Sequence, residues 1–373
     1  MALTKVDTSM VESTGAFGRR NILINGDYSI AQRATSSTSI GANASTYYTA
    51  DRWKLDMGGN NSGRVTMTAV VDDAPTESNV RTSLKLECTT ADTSIAAGEY
   101  FILLQQIEGF NLQQFKKGTS GAKEFTVSFF VKGNGSATYV LELYDSDNGR
   151  QISKTFSVTS SWSKVELTFP ADTTGAFGND ANASLNVSIW LHAGSDYTGG
   201  TLNSSAWAAQ TAANRAAGIS SFMSSTSNTL AITAFQLEVG NVATEFEQRS
   251  YGEELSLCQR YYCVVAKMTT TDYNQLPIMN CSYYLASQIF GVIHLPCQLR
   301  AAPSLEQATG TNYYRVFRSG SSDYFDGFTG IEGHANPISF AIYAASNISG
   351  TEGVAGWVET FNNAAYIAFD AEL

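Results

Sequence analysis

VATEFEQRSYGEELSLCQRYYCVV, residues 242–265, is the stretch on which the reading of this chain turns. It carries five charges between Glu245 and Glu254 and then becomes apolar and aromatic. A charged exit followed by a buried entry is what a short link between two domains needs. Upstream lies a long series of strand-like segments ending in ITAFQLEV (residues 232–239). Downstream, a second set of short aromatic strands runs to the last residue. The chain is therefore expected to be all-β. A jelly-roll-like β-sandwich over residues 21–247 precedes a linker, 248–256, and a smaller C-terminal β domain over 257–373.

The segments on either side support this division. RVTMTAVV (64–71) and SLKLEC (83–88) alternate apolar and polar residues, the period of a sheet with one wet face. FTVSFFVK (125–132), TYVLELY (138–144), KVELTF (164–169) and LNVSIWL (185–191) follow in quick succession. RNILINGDYSIAQR (20–33) is the first strand signal, turned at Asn25-Gly26. Within a long polar insertion, 194–228, WAAQTAANRAA (207–217) has helix-forming composition. In the C-terminal part, residues 260–268, 282–293, 313–318, 338–344, 354–358 and 365–369 read as strands.

Composition narrows the function classes. Only 15% of residues are charged against 43% hydrophobic and 12% aromatic, which suits half-buried strands joined by polar turns. The net charge of −11 and the lack of any basic block argue against a nucleic-acid partner. Cys88, Cys258, Cys263, Cys281 and Cys297 show no CxxC spacing and read as buried free thiols, in keeping with assembly in a reducing cytoplasm. No apolar window reaches the length of a membrane span, so membrane insertion is not expected. Lys5, Asp7 and Glu12 interrupt the first 20 residues, which therefore do not read as a cleavable signal. That segment is too small and polar to fold alone and is read as a peptide that orders against a partner.

Three ordered matches carry a resemblance. LCQRYY (257–262), LRAAP (299–303) and the closing DAEL (370–373) resemble the terminal domain of tail-fibre proteins of tailed bacteriophages. The opening residues resemble the leader by which many phage fibres and spikes dock onto the particle. Separately, residues 109–132, SWSKVELTF (161–169) and AFQLEVG (234–240) resemble, in that order, carbohydrate-binding modules of the jelly-roll kind. The resemblance implies a viral tail fibre or receptor-binding protein, made in the host bacterial cytoplasm and residing in the virion tail. Residues 1–20 would anchor it to a tail, adaptor or capsid protein, with Leu3, Val6, Met10, Val11 and Phe17 as the apolar contacts. It further implies a homotrimer that adsorbs to host surface polysaccharide or lipopolysaccharide. A capsid-attached head fibre or decoration protein, a polysaccharide-degrading tail enzyme and a bacterial sugar-binding module stand as alternatives. No internal repeat is visible, which disfavours a β-helical spike.

Residue chemistry points the same way. His192, His294 and His334 form no HExxH, and neither GxSxG nor a phosphate loop occurs. His192 and His294 lie in strand-like runs and are read as core or interface residues, His334 as exposed. Glu99, Glu108, Glu142, Glu166, Asp323, Asp326 and Glu332 could supply a glycosidase pair, but solvated carboxylates are the plainer reading and no enzyme is expected. DSDNG (145–149) looks like half a calcium loop, but it lacks the closing Glu and a turn between two strands accounts for Asn148-Gly149; a structural calcium there is the alternative, and no metal or cofactor is expected. Aromatic rings with Asp, Asn and Arg suit a sugar face and its hydroxyls. Tyr313, Tyr314, Arg318, Asp323 and Tyr324, with His334 and Asn336, are the expected glycan site. Trp207 in the sandwich insertion is the rival. Tyr261, Tyr262, Phe290, Trp357 and Phe369 are the expected subunit interface, because large rings dominate contact energy.

Overall fold

The protein is all-β, as a computed structural model describing residues 19–269, 275–332 and 338–373 shows. Most of the segment expected to anchor the chain, including Leu3, Val6, Met10, Val11 and Phe17, lies outside the described residues. The chain passes from one structural unit to a second between Tyr251 and Gly252.

Two antiparallel sheets build the first unit; strands are numbered along the chain. One has six strands, in spatial order β1 (Ser36–Gly41), β4 (Arg64–Val71), β5 (Thr82–Thr90), β13 (Thr229–Val239), β7 (Phe125–Gly133) and β10 (Ser163–Phe169). The other has seven: β12 (Ala208–Ala209), β9 (Arg150–Val158), β8 (Ala137–Asp145), β11 (Ala183–Ala193), β6 (Tyr100–Glu108), β3 (Lys54–Gly58) and β2 (Ser45–Tyr47). Alternation decides the faces. In β11, Leu185, Val187, Ile189 and Leu191 enter the core shared by the two sheets, as Phe125, Val127, Phe129 and Val131 do from β7. Phe235 anchors the centre, stacked on Phe129 at 4.6 Å and tilted against Trp53 at 5.0 Å. Each such ring or aliphatic chain contributes roughly 1.5–3 kcal/mol by leaving water.

Residues 20–33 depart from the strand expected there. They run beside β13 without a regular ladder, with Ile22 N–H donating to Leu237 O at 2.9 Å and Phe235 N–H to Gly26 O at 2.8 Å. The Asn25-Gly26 turn is the cause: Asn25 sits at φ 57°, and its carbonyl accepts the Trp53 indole N–H at 2.9 Å. A Cβ on Gly26 would lie 2.0 Å from Phe235 O, so only glycine permits this approach. Opposite, β13 bulges between Thr233 and Gln236, with Ala234 at φ 51°.

The alanine-rich insertion is likewise not the helix its composition suggests. It holds one short helix, α1 (Ser195–Thr198), the strand β12 and a 3-10 turn at Ala212–Asn214. Trp207 and Arg215 are drawn to opposite places in the sandwich, and these tertiary anchors override propensity.

Residues 248–256, expected as a linker, pass from contacts with the start of the sandwich into a helix. Arg20 and Asn21 N–H donate to the Glu247 carboxylate at 3.0 and 2.8 Å, and Arg249 Nη1 donates to Leu23 O at 3.1 Å. Helix α2 (Tyr251–Gln259) then begins, with Glu253 and Glu254 favourably placed in its first turn.

The second unit contains a three-stranded sheet, β14 (Tyr262–Lys267), β23 (Tyr366–Asp370) and β17 (Ser304–Gln307). Its larger sheet has seven strands in the order β19 (Ser321–Phe325), β18 (Tyr314–Arg318), β22 (Ala355–Thr360), β15 (Pro277–Leu285), β16 (Gln288–His294), β21 (Ser339–Ala344) and β20 (Gly330–Glu332). The run 282–293, read as one strand, is the hairpin β15–β16. Strands β18 and β19 join through Ser319 (φ 46°) and Gly320 (φ 73°), the left-handed pair that a tight two-residue hairpin requires. Tyr314, Val316, Phe325, Ile342, Val358 and Phe369 belong to the core of this unit.

Candidate functional site

The outward face of the seven-stranded sandwich sheet carries the strongest concentration of recognition chemistry. In β11 the residues alternating with the core set are Asn186, Ser188 and Trp190. Register aligns Ser188 with Leu104 of β6 and Glu142 of β8, and Asn186 with Tyr144. Asp56 of β3 lies across from Ile102. The insertion supplies Tyr197 from α1 and Arg215, which with these strands line a cleft of about 210 Å³.

Its floor is an aromatic and ionic assembly. Arg215 forks onto Glu142, Nε to Oε1 at 2.8 Å and Nη2 to Oε2 at 2.7 Å. Trp190 Nε1 donates to Glu142 Oε2 at 2.9 Å. The guanidinium lies 4.7 Å from the centre of the Trp190 ring and 5.2 Å from that of Tyr144. Burial alone would lower the pKa of Arg215, but Glu142 more than offsets it, so the group is held more firmly cationic than usual. Tyr197 leans on Trp190 at 5.2 Å and meets Tyr100 edge-on at 5.5 Å. Burial first, then Asp56, raises the Tyr100 phenol pKa, keeping it a neutral donor. Gly58 makes room for that ring, since a Cβ there would lie 2.3 Å from it. Half-buried aromatic walls with Asp56, Asn186 and a fixed guanidinium can stack on an apolar ligand face and bond to its hydroxyls. Glu142, its oxygens already engaged, is placed to orient Arg215 rather than to transfer protons.

The residues expected from sequence are distributed otherwise. Trp207 is a core residue: its ring packs 5.5 Å from Phe125 and its Nε1 donates to Pro170 O at 2.9 Å. Tyr314 is fully buried, its hydroxyl 2.8 Å from Ala308 O and 2.6 Å from Tyr366 O, because it starts β18 on the inner face. Neither can stack on a sugar. Tyr313 and Tyr324 remain half-buried, Tyr324 against Phe361 at 4.7 Å. Arg318 and Asp323 are engaged by one internal phenol: Arg318 Nε donates to Tyr283 Oη at 3.0 Å, which donates to Asp323 Oδ2 at 2.9 Å. His334 and Asn336 lie outside the described residues. Of the expected set, Arg318 and Asp323 therefore meet at Tyr283, whereas Tyr314 and Trp207 are withdrawn into cores.

Of the expected interface rings, Tyr261, Tyr262 and Phe369 are buried, Phe369 in the core of the second unit. Trp357, 44% exposed, and half-buried Phe290 lie on the open face of the larger C-terminal sheet. There Phe290 stacks on Tyr343 at 5.2 Å and meets Tyr284 at 5.4 Å, while Phe317 lies 4.7 Å from Trp357. His294, expected in a core or an interface, is exposed on β16. His192 is fully buried.

The half calcium loop has an occupant of its own. Lys117 Nζ, fully buried, lies 2.5 Å from Asp145 Oδ2 and 3.1 Å from Asp172 Oδ2, and donates to Thr174 O and Gly175 O, each at 2.9 Å. Burial would raise the Asp172 pKa, but Arg150, the Thr174 N–H and Lys117 outweigh it and hold the carboxyl below its ordinary value.

Sequence reasoning missed Tyr100, Tyr144, Trp190, Tyr197 and Arg215. The available signal was face assignment: alternation in LNVSIWL and TYVLELY places Trp190 with Ser188 and Asn186, and Tyr144 with Glu142, on the outer face.

No family model matches this sequence, and no curated protein does. Solved structures with similarity include a family 4 carbohydrate-binding module (12% identity, TM-score 0.30, covering 58% of this chain and 97% of that one). A family 11 carbohydrate-binding module from Clostridium thermocellum, in complex with a β-1,3-1,4-mixed-linked tetrasaccharide, gives 11% identity and TM-score 0.27 over 56% of this chain and 98% of that one. The enzymatically active domain of tailspike protein 4 from bacteriophage CBA120 gives 12% identity and TM-score 0.28; 59% of this chain and 21% of that chain are covered.

Proposed function

We propose that this chain is a glycan-binding fibre protein of a tailed bacteriophage and that the cleft on the sandwich sheet is its sugar site. The observation that carries the binding assignment is the pair of half-buried rings Tyr100 and Tyr197, backed by the buried Trp190 and set beside the Arg215–Glu142 fork, with Asp56 and Asn186 within the same cleft. Such a mixture of apolar surface and a few oriented polar groups is the usual make-up of a small-ligand site. The fibre assignment is supported by LCQRYY, LRAAP and DAEL and the polar leader. Host surface polysaccharide or lipopolysaccharide is the proposed ligand, and residues 1–20 the proposed attachment to a tail or capsid protein. Three copies associating through the open aromatic face around Phe290 and Trp357 would add avidity to individually weak sugar contacts.

The test is adsorption of the purified chain to host cells and extracted surface glycan, measured alongside titration calorimetry. Replacing Tyr100 and Tyr197 with Ala should weaken binding by about tenfold or more, roughly 1.4 kcal/mol, while Tyr324→Ala leaves it unchanged. Full affinity in the Tyr100/Tyr197 variant, with loss in Tyr324→Ala, would move the site to the second unit and refute this placement.

A further inference from the structure

The sandwich contains a second cluster that the cleft does not use. Asp92 follows β5, Glu99 precedes β6 and His192 lies near the end of β11; one ligand atom from each falls within 4.8 Å of the others. All three are buried, at 2%, 6% and 0% exposure. His192 Nδ1 lies 2.8 Å from Ser221 Oγ, whereas Nε2 has no hydrogen-bond partner and points at Glu99 Oε2, 3.8 Å away. The carboxylates receive neutral donors: Ser62 N–H to Asp92 Oδ2 at 2.7 Å together with the Ser62 hydroxyl, Ser94 N–H to Asp92 Oδ1 at 3.2 Å, and Ala96 N–H to Glu99 Oε2 at 2.8 Å. Among the described residues, no Lys or Arg forms a salt bridge with either.

This is an arrangement short of one cation. If Nδ1–H donates to Ser221, the Nε2 lone pair faces two buried carboxylates. If the proton is on Nε2, it reaches no acceptor at bonding distance. Either tautomer leaves an orphaned polar atom in the interior, which native structures rarely tolerate. A divalent ion on Nε2 and one oxygen from each acid would satisfy all three groups, balance two negative charges and leave Nδ1–H donating to Ser221 Oγ, an outer hydrogen bond of the kind that fixes the ring of a ligating histidine. Imidazole nitrogen with carboxylate oxygen selects a transition ion of zinc type over calcium. A tetrahedral ion with bonds of roughly 2.0–2.2 Å spaces its ligands about 3.3–3.6 Å apart, so the cluster, whose ligand atoms lie within 4.8 Å of one another, has only to draw in by about 1 Å. Residues 93–97, between the two acids, are exposed and give an ion its way in.

The geometry points to a zinc-type divalent metal site formed by Asp92, Glu99 and His192. Its position gives it a consequence for the neighbouring cleft. Gly194 N–H donates to Glu99 O at 2.8 Å and Asp196 N–H to Ala97 O at 3.0 Å, so the β5–β6 loop carries the start of α1 and with it Tyr197. An ion would pin that loop to β11.

The full-length chain, stripped with chelator, should be titrated with Co²⁺ and Zn²⁺, following visible absorption and melting temperature. One ion per chain is expected, with Co²⁺ giving ligand-field bands, Zn²⁺ displacing it, and both raising the melting temperature. Asp92→Asn and Glu99→Gln, which preserve shape, should each weaken binding at least tenfold, as should His192→Ala if it folds. A His294→Ala/His334→Ala double variant should bind as the parent does. Absence of stoichiometric binding, binding that survives Asp92→Asn and Glu99→Gln, or a response to Ca²⁺ alone would overturn the assignment.

Discussion

Lys117 offers the most demanding test of how the sandwich is held together. Its ammonium and both Asp145 oxygens are out of water, and two carboxylates and two carbonyls surround it. Replacing it with Met keeps the volume of the stem and its packing near Trp207 and Phe177 but removes the charge. Asp145 would then rely on Asn148, and Asp172 on Arg150, with a net negative charge left in the interior. Breaking a buried pair by deleting one partner costs about 3–5 kcal/mol, and complete burial places this case toward the upper end. For a unit of this size, each kcal/mol moves the melting temperature by roughly 2–4 °C, so a fall of roughly 6–20 °C is expected in a calorimetric or circular-dichroism melt. The spacing of the four oxygens makes a second readout available. In Lys117→Ala the vacated cage should accept Ca²⁺, whose oxygen ligands sit at about 2.3–2.6 Å, and millimolar calcium should recover part of the lost stability. A loss below about 1 kcal/mol in Lys117→Met would show that the ion pair contributes no net stability and refute the reasoning.

Other expectations follow from the same geometry. Arg215→Lys cannot fork onto Glu142 and should weaken glycan binding severalfold in calorimetry, while Arg215→Ala should also lower stability by about 3 kcal/mol in urea unfolding by stranding a buried carboxylate. Asp172 has its pKa depressed by folding, so its contribution is complete above the ordinary carboxylate value and is lost as pH falls through the depressed one; the pH dependence of unfolding below about pH 4 should be shallower in Asp172→Asn. Burial pushes Cys263 up to about 12 and Cys281 up to about 11, so alkylation of the native chain at pH 8 should leave both intact by mass spectrometry until denaturant is added. Trp357→Ser combined with Phe290→Ser should reduce the light-scattering mass to that of one chain without lowering the melting temperature. Deleting residues 2–18 should leave a folded protein that fails to join particles, detectable by immunoblot of purified virions.

How much of this was legible in the sequence follows from what alternation can and cannot say. In LNVSIWL and FTVSFFVK the period of two marks strands and sorts their residues into two sets, and the sandwich follows. It does not say which set a second sheet will cover. That is why Tyr314 and Trp207, large rings near polar turns, read as exposed yet are core, while Trp190 and Tyr144 form the floor and wall of a cleft. The three-residue cluster was invisible for a related reason: the pairing of β11 with β6 brings His192 to Glu99, and Asp92 reaches them from the end of β5 in the other sheet. Residues 20–33 misled in the opposite direction. Their apolar spacing is that of a strand, but the turn at Asn25 and Gly26 gives their backbone bonds to β13 and to the Trp53 indole instead of to a ladder.

The position of β13 also bears on how such a chain is made. This strand is the last of its sheet to leave the ribosome, yet it lies between β5 and β7, in the middle of the order. Until residue 239 has been synthesised, the six-stranded sheet exists as two halves, each with an unsatisfied edge, and the core lacks Phe235 and Leu237. Unpaired edges of that kind invite pairing with other chains. A nascent sandwich is therefore most vulnerable just before completion, and a truncated product ending within the insertion should aggregate rather than persist as a smaller fold.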